Sequence, residues 1–405
     1  MNLSGHNHSK TMIDTMKKDH GFSKDLTFLK KHTDIIVLQE RQSAVVIAPQ
    51  FQGRVMTSTT NVAEGEGFGW INKKVIEAGL LSEEEREGRL ENQIYVFGGE
   101  ERFWLGPEGG QFSLFFKPED DFEFSNWKTP AVIDTEAFTL VSHTDHSATF
   151  EHHCELINKS GTIFKMGIGR SISILNKASI ENTLRTQFSE NIEFVGYQTN
   201  NQITNIGDQP WLPETGLPSI WILGMYNPSP ETTMIIPFKE GKETVLGQKV
   251  NDTYFGKVPN DYLEVKEDVL FFKGDGTKRS KIGINSKRSK GIAGSYDALG
   301  KVLTLVTYNT QEASHGYVNS AWEHQEEPFA GDVINAYNDG SPEPGVPPMG
   351  PFYELETSSP AAALKPNEIM VHIQTTMHLK GDEHELNTIA KATLGVSLDV
   401  IIKSL

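Results

Sequence analysis

The sequence FYELETSSPAAALKPNEIMVHIQTTMHL (352–379) contains the clearest strand–turn–strand pattern of the chain. Its first half places Glu354 and Glu356 on one face of a strand, because successive side chains of a strand point to opposite faces. Pro360 marks a turn, and a long run rich in Ile, Val and Thr follows it. The stretch therefore predicts two antiparallel strands, the first of which presents two carboxylates on one side.

Similar short stretches rich in Val, Ile, Thr and Phe recur from about residue 35 to residue 380, separated by turn signals. They include QFSLFF (111–116) and IENTLRTQF (180–188). Such spacing is typical of a large antiparallel sandwich or barrel and not of alternating βαβ units. Helical patterns are confined to residues 10–31, 80–92 and 382–394. The sequence predicts an all-β fold, a large antiparallel β-supersandwich with short helical additions at both ends.

The pattern divides the chain into three parts. Residues 1–33 are predicted to be an N-terminal helical extension, residues 34–381 one β-domain, and residues 382–405 a helical tail packed on that domain. The Pro- and Gly-rich segment 341–351 is interpreted as a loop, because a linker there would leave a final piece too small to fold alone.

Composition excludes several classes of protein. Lys and Arg number 37 against 54 Asp and Glu, a formal charge of −17, which argues against nucleic acid as a partner. No apolar run approaches the length of a transmembrane helix, and the single Cys154 excludes an intramolecular disulfide framework. The first 33 residues contain no apolar core of a secretory signal. The expected location is cytoplasmic, or periplasmic after removal of a signal.

Familiar cofactor motifs are missing, since the chain has no P-loop, HExxH or GxSxG sequence. The histidine-rich segment 143–153 is interpreted as the charged outer face of an exposed strand, so no metal or other cofactor is expected. The basic segment KRSKIGINSKRSKG (278–291) is interpreted as a solvated hairpin with its cations outward. Arg170 lies inside a β-run and is predicted to be an inward structural cation paired with a carboxylate.

Several segments resemble one known family. The Leu-Glu-Thr sequence at 355–357, followed by a proline turn and LKPNE (364–368), is similar to the C-terminal signature of aldose 1-epimerases. Segments 48–57 and 301–322 resemble other family segments in the same order. This resemblance implies the galactose mutarotase-like supersandwich over roughly residues 35–380. Residues 98–116 and 317–340 more closely resemble an uncharacterised Bacteroidetes family within that superfamily.

The resemblance implies particular catalytic residues. Mutarotation needs a general base for the anomeric hydroxyl and a general acid for the ring oxygen. Glu356 matches the position of the family's base, and Glu354 is the alternative. The family's Thr-Asn-His position falls at 204–206, where Ile206 replaces the histidine. Either His315 supplies the acid or the chemistry has been lost.

Sugar binding requires less than catalysis. Pyranose rings stack on aromatic side chains, and charged planar groups take their hydroxyls. Two groups of residues combine these features. The predicted substrate-binding residues are Arg102, Trp104 and Glu108 in one segment, and Tyr317, Asn319, Trp322 and Glu323 in another.

Three functions remain open at this point. The first is a carbohydrate-binding protein of the mutarotase-like fold in which Glu356 is the base of a sugar epimerase. The second is a non-catalytic glycan-binding domain, such as an accessory domain of a lyase or glycosidase. The third is a scaffold without a small-molecule ligand. A mono- or oligosaccharide is the expected partner under the first two, and the oligomeric state is not predicted.

Overall fold

A computed structural model describes residues 21–405. The described chain forms three antiparallel sheets joined by turns and longer loops. The strands, in chain order, are β1 (Ile36–Glu40), β2 (Ser43–Ala48), β3 (Arg54–Thr59), β4 (Arg102–Gly106), β5 (Thr139–His143), β6 (Ser147–Ile157), β7 (Ile163–Ile174), β8 (Glu193–Asn205), β9 (Ser219–Leu223), β10 (Thr232–Pro237), β11 (Leu263–Val265), β12 (Val269–Lys273), β13 (Ser280–Asn285), β14 (Ile292–Asp297), β15 (Val302–Tyr308), β16 (Asp332–Asn338), β17 (Tyr353–Ser358) and β18 (Ile369–Lys380).

Two of the sheets form the sandwich. The large sheet has ten strands in the order β11-β12-β10-β14-β15-β18-β8-β7-β6-β5, and the small sheet has five in the order β13-β16-β17-β9-β4. Thr357 of β17 shows that they face each other, because its hydroxyl contacts His372 Nε2 at 2.7 Å and Gln374 Oε1 at 2.6 Å on β18. The third sheet, β1-β2-β3, contacts β7 and β8 of the large sheet. The predicted all-β supersandwich is confirmed.

Helices occupy the ends of the chain and several connections. They are α1 (Phe22–His32), α2 (Lys73–Ala78), α3 (Glu83–Arg86), α4 (Ala131–Asp134), α5 (Lys177–Leu184), α6 (Glu243–Leu246), α7 (Glu383–Leu394) and α8 (Leu398–Ile402), with 3-10 turns at Pro49–Phe51, Leu90–Asn92 and Pro213–Thr215. Helix α7 confirms the helical pattern predicted at 382–394, and Asp382 caps it. Helix α1 covers the second half of the pattern predicted at 10–31, and residues 10–20 lie outside the described chain.

The helices cover apolar surface of the sheets. Leu386 and Ile389 of α7 belong to one buried cluster with Leu303 and Leu305 of the large sheet. Phe22 and Leu29 of α1 pack in another cluster with Val46 of β2. Both terminal elements therefore contribute to the buried core of the described chain.

Three local predictions were wrong. Residues 180–188 are not a strand, because α5 begins at the capping residue Asn176 and buries Ile180 and Leu184 on one face. Residues 111–116 form turns whose Leu114, Phe115 and Phe116 are buried. The pattern at 80–92 gives only the single turns α3 and Leu90–Asn92, since Gly88 adopts φ +73 between them.

Two predictions about cations had opposite outcomes. Arg170 is fully buried and pairs with Glu101 at 2.9 Å, which confirms its structural role. The outward orientation predicted for the basic segment was wrong at two positions. Arg288 is completely buried and donates to the carbonyls of Lys239 and Gly247. The side chain of Lys281 lies against the small sheet and pairs with Glu356.

Candidate functional site

The outer face of the small sheet carries an unusual set of buried polar side chains. On β17, Glu354 and Glu356 point away from the large sheet, because Thr357, the residue after Glu356, points toward it. Residues directly opposite in neighbouring strands share a face, and Asn335 of β16 is opposite Glu356. The same reasoning places Lys281 on this face, since it is opposite Tyr337, which is opposite Glu354.

Glu356 is the centre of this face and is only 1% exposed. Its Oε2 accepts hydrogen bonds from Lys281 Nζ at 2.9 Å and from Trp221 Nε1 at 3.0 Å. Its Oε1 has no hydrogen-bond partner within the described chain. The carboxylate therefore has one engaged oxygen and one oxygen with unused acceptor capacity.

Lys281 links Glu356 to the surrounding aromatic rings. Its ammonium lies 4.9 Å from the centre of the Trp221 ring and 5.6 Å from that of Tyr254. Burial alone would lower the pKa of Lys281, but the nearby carboxylates of Glu356 and Glu108 raise it above its ordinary value. The lysine is consequently charged at neutral pH and compensates part of the acidity of the face.

A second ion pair lies beside the first. Arg102 Nη2 donates to Glu354 Oε1 at 2.6 Å, and both side chains are almost completely buried. The Arg102 guanidinium also lies 5.0 Å from the centre of the Trp104 ring. Burial raises the pKa of Glu354, while Arg102 opposes this and Glu356 adds to it. Arg102 and Trp104 project together, as the sequence predicted, but into a packed layer.

Glu108 approaches the same group from the loop after β4. Its backbone N–H donates to Ser320 Oγ at 3.1 Å, which ties the loop to segment 317–331. Burial raises the pKa of Glu108, with Lys281 opposing and Glu356 reinforcing the change, so the side chain lies within electrostatic range of both. Glu108 and Glu356 are thus two carboxyl groups that share one ammonium.

A narrow cleft opens at this face. Its lining residues come from all five strands of the small sheet and from two covering loops, and they include Ser219, Trp221, Tyr254, Lys281, Ser320, Asp332 and Asn335. The free volume is about 20 Å³, which is room for about one water molecule. Glu356 lies directly behind this wall, joined to the cleft through Lys281 and Trp221.

Several polar atoms around the cleft lack a partner within residues 21–405. They are Glu356 Oε1, Arg102 Nε, Trp104 Nε1 and Ser219 Oγ. Folded proteins leave few buried polar atoms without a hydrogen bond, so a concentration of four on one sheet face indicates a place suited to water or to a hydroxylated ligand.

An aromatic layer extends from the cleft to the surface. Trp104 packs edge-on against Trp221, with ring centres 5.7 Å apart. Trp127 stacks on Trp322 at 5.9 Å and on Phe124, also at 5.9 Å. Trp322 is half-buried and Phe124 is 52% exposed. The layer thus ends in rings that a ligand in solution can reach.

The remaining predicted residues divide into two groups. Tyr317 is 3% exposed, and Asn319 is half-buried with its Oδ1 accepting from the Ala321 N–H. His315 and Glu323 are exposed on the covering loop, and no described contact joins either of them to Glu356. The structure therefore brings together Glu356, Glu354, Arg102, Trp104 and Glu108, and leaves His315 at the surface.

Sequence reasoning missed Lys281, Trp221 and Tyr254. Each lies far along the chain from Glu356, and the sequence gives no signal of the pairing except that Lys281 alternates with apolar residues in a strand. Among residues 21–405 no group of three or more His, Cys, Asp or Glu is placed to hold a metal ion. No helix in that range is long and apolar enough to span a membrane.

Comparison with family models gives one match, to a family described as "Family of unknown function (DUF6786)", over residues 20–405. The chain belongs to the DUF6786 family. Comparison of this DUF6786 member with curated proteins gives no match.

Solved structures similar to this DUF6786 chain include three with related descriptions. A candidate aldose 1-epimerase from Escherichia coli K12 has 12% identity and a TM-score of 0.49, covering 86% of this chain and 99% of its own. A galactose mutarotase-like protein from Lactobacillus casei has 11% identity and a TM-score of 0.46, covering 85% of this chain and 100% of its own. A galactose mutarotase related enzyme from Lactobacillus acidophilus has 10% identity and a TM-score of 0.43, covering 86% of this chain and 98% of its own. These three proteins are what the chain is similar to, and identities of 10–12% say nothing about its activity.

Proposed function

We propose that the protein binds a neutral sugar at the outer face of the small sheet, around Glu356. The observation that carries this proposal is the buried Glu356 carboxylate, whose Oε2 is held by Lys281 and Trp221 while its Oε1 has no described partner. A carboxylate oxygen with free acceptor capacity beside a tryptophan ring suits a sugar hydroxyl and the apolar face of its ring.

Charge favours a neutral ligand over an anionic one. Glu108, Glu354, Glu356 and Asp332 lie on or beside this face. The two cations Lys281 and Arg102 are already paired with two of them. An added anion would find no unpaired cation among these residues, whereas sugar hydroxyls can hydrogen-bond to the carboxyl groups.

The narrowness of the cleft determines how a sugar binds. With free volume for about one water molecule, only one edge of a pyranose enters unless the covering segment 317–331 moves outward. The rest of the ring then lies toward the exposed aromatic rings of Trp322 and Phe124. This arrangement suits the terminal residue of a glycan or a single monosaccharide.

Epimerase chemistry is the finer form of the proposal. Glu356 is the base that takes the anomeric proton, and Glu108 is better placed than His315 to be the acid, since burial raises its pKa and keeps its proton available. Non-catalytic binding is the alternative. It is favoured by one observation, that Lys281 and Trp221 stand between Glu356 and the cleft.

The test combines binding and anomer exchange. NMR titration with neutral monosaccharides is carried out on the wild type, on Glu356→Gln and on a control, Glu214→Gln, which alters an exposed loop carboxylate. Binding by the wild type and control that is weakened in Glu356→Gln supports the site. Equal binding by all three refutes it, as does no binding by any. Anomer exchange that Glu356→Gln and Glu108→Gln each abolish would select the catalytic form.

A further inference from the structure

A second and larger cavity lies on the opposite face of the small sheet. Its volume is about 300 Å³, within the range of small-molecule sites. It lies where turn 66–68, the β9–β10 connection and the β14–β15 turn meet the ends of β17 and β18. Tyr353 of β17 lines it, and Tyr353 points toward the large sheet, opposite to Glu354 and Glu356. The cavity is therefore separate from the cleft near Glu356.

Four aromatic rings form one wall of this cavity. Phe68 stacks on His378 with ring centres 4.2 Å apart, and Tyr226 contacts both Tyr353, at 5.3 Å, and His378, at 5.8 Å. All four residues line the cavity and each is less than 10% exposed overall. The wall offers a flat apolar surface of the kind on which a sugar ring or another planar ligand stacks.

Hydrogen bonds behind the wall hold the rings in place. His378 contacts Thr304 Oγ1 through Nδ1 at 2.8 Å and Glu100 Oε1 through Nε2 at 2.9 Å. Glu100 is fully buried and also accepts from Ser58 Oγ at 2.7 Å. The Tyr353 hydroxyl bonds to Ser295 Oγ at 2.8 Å. Both nitrogens of the imidazole are engaged, so His378 is a fixed part of the wall, and such rigidity reduces the entropy lost on binding.

Polar atoms near the wall have unused bonding capacity. Asn227 lines the cavity, and its Nδ2 donates to the carbonyls of Gly67 and Gly69 while its Oδ1 has no partner among the described residues. The Tyr226 hydroxyl and Glu100 Oε2 also have no hydrogen-bond partner among the described residues. Of these residues, Asn227 and Tyr226 line the cavity and Glu100 lies behind its wall. Buried polar atoms without a partner are few in folded proteins, so the two on lining residues suit a hydroxylated occupant.

The charges lining the cavity are balanced. Glu66 and Asp297 provide two carboxylates, and Lys301 and Lys380 provide two ammonium groups. Lys380 pairs with Glu66, and Asp297 accepts from Ser229 Oγ at 2.5 Å. A balanced lining favours a neutral ligand, whose hydroxyls can form charge-assisted hydrogen bonds with these groups.

From this cavity we infer a second binding site, for a single neutral sugar ring stacked on Tyr353, Phe68 and Tyr226, with its hydroxyls directed to the Glu66–Lys380 pair and Asp297. The volume accommodates one ring and not an oligosaccharide chain. Binding here does not depend on Glu356, so the protein has two separate sugar sites on opposite faces of one sheet.

The test uses a variant that fills the cavity from its mouth. Leu299 lines the cavity from the half-buried β14–β15 turn, and Leu299→Trp places a large side chain there. The matched control is Val245→Trp, at a position that is 64% exposed and outside the cavity. Thermal unfolding confirms that each variant folds. Saturation-transfer NMR with D-glucose and D-galactose is measured in the Glu356→Gln background, which removes the first site's free carboxylate.

In that background, sugar contacts should persist, remain unchanged in Val245→Trp and fall at least tenfold in Leu299→Trp. Equal signals in the two tryptophan variants would overturn the inference, and so would loss of all signal in Glu356→Gln alone, since the sugar would then bind only at the first site. Binding of phenol, with no binding of either sugar, would also overturn it, because the cavity would then be an aromatic-ligand site. If no sugar binds near Glu356, this test can still be interpreted, because it compares sugar binding by Leu299→Trp with sugar binding by Val245→Trp in the same background.

Discussion

Replacing Lys281 by methionine should destabilise the protein strongly, although the residue belongs to a segment rich in Lys and Arg. Its ammonium is 2.9 Å from Glu356 Oε2, and the side chains are 12% and 1% exposed. At an effective dielectric constant of about 20, two unit charges at this distance attract by roughly 6 kcal/mol. Removing one partner of a buried pair leaves the other uncompensated, at a cost of about 3–5 kcal/mol. We expect Lys281→Met to lose that amount of unfolding free energy at pH 7.

A natural control exists in the same chain. Lys301 and Glu383 also meet at 2.9 Å, but their side chains are 52% and 48% exposed. Surface pairs contribute about 0–1 kcal/mol, so Lys301→Met should cost less than about 1 kcal/mol. Urea unfolding monitored by tryptophan fluorescence measures both variants, with Glu356→Gln and the double variant Lys281→Met/Glu356→Gln completing a cycle.

The cycle separates a pair from two independent residues. If the pair is as described, the double variant loses less than the sum of the two single variants, by roughly 2–3 kcal/mol. A loss no greater than that of Lys301→Met, or strictly additive losses, would refute this account of the site.

Three further predictions concern the scaffold. Burial raises the pKa of Asp134 from 3.8 to about 7. The folded state therefore binds this proton more tightly than the unfolded state does, and the free energy of unfolding falls as the pH rises from about 4 to about 7. Asp134→Asn should flatten this decline, which urea unfolding midpoints measured from pH 4 to 7 would show. Gly53→Ala should lower the free energy of unfolding by at least about 1 kcal/mol, because Gly53 has φ +58 and an added Cβ would lie 2.7 Å from Phe150. A lower midpoint of thermal unfolding would show this loss. Burial raises the pKa of the Cys154 thiol to about 12, so iodoacetamide at pH 8 should label the folded protein at least tenfold more slowly than the urea-unfolded protein.

Strand periodicity made part of the site predictable. Alternation alone placed Glu354 and Glu356 on one face of their strand, and Arg102 and Trp104 on one face of theirs. The structure shows that both pairs lie on the same face of the small sheet. This succeeds because the side-chain period of a strand is two whatever its partners are. The carboxylates and the first aromatic ring were therefore accessible from the sequence.

Partners far along the chain were not predictable. Trp221 and Lys281 lie 135 and 75 residues from Glu356, and only the strand order β13-β16-β17-β9 brings them to it. Local composition was also misleading at 180–188, where β-branched and aromatic residues suggested a strand but the Asn176 cap and the burial of Ile180 and Leu184 produce a helix. The larger cavity combines several distant segments, and no single motif marks it.

The contacts of Glu356 restrict its use as a general base. A general base must reach the proton it removes, yet Glu356 Oε2 is already occupied by Lys281 and Trp221, and the cleft beyond them has room for about one water molecule. Catalysis therefore requires the free Oε1, or a movement of Lys281 toward Glu108, whose carboxyl already interacts with it. Such a movement would release Glu356 Oε2 and stabilise the ionised form of Glu108, because an ammonium stabilises the carboxylate that it approaches. Sugar binding needs none of these changes, so we expect a wild-type protein in which Lys281 stays on Glu356 to bind sugar without exchanging anomers.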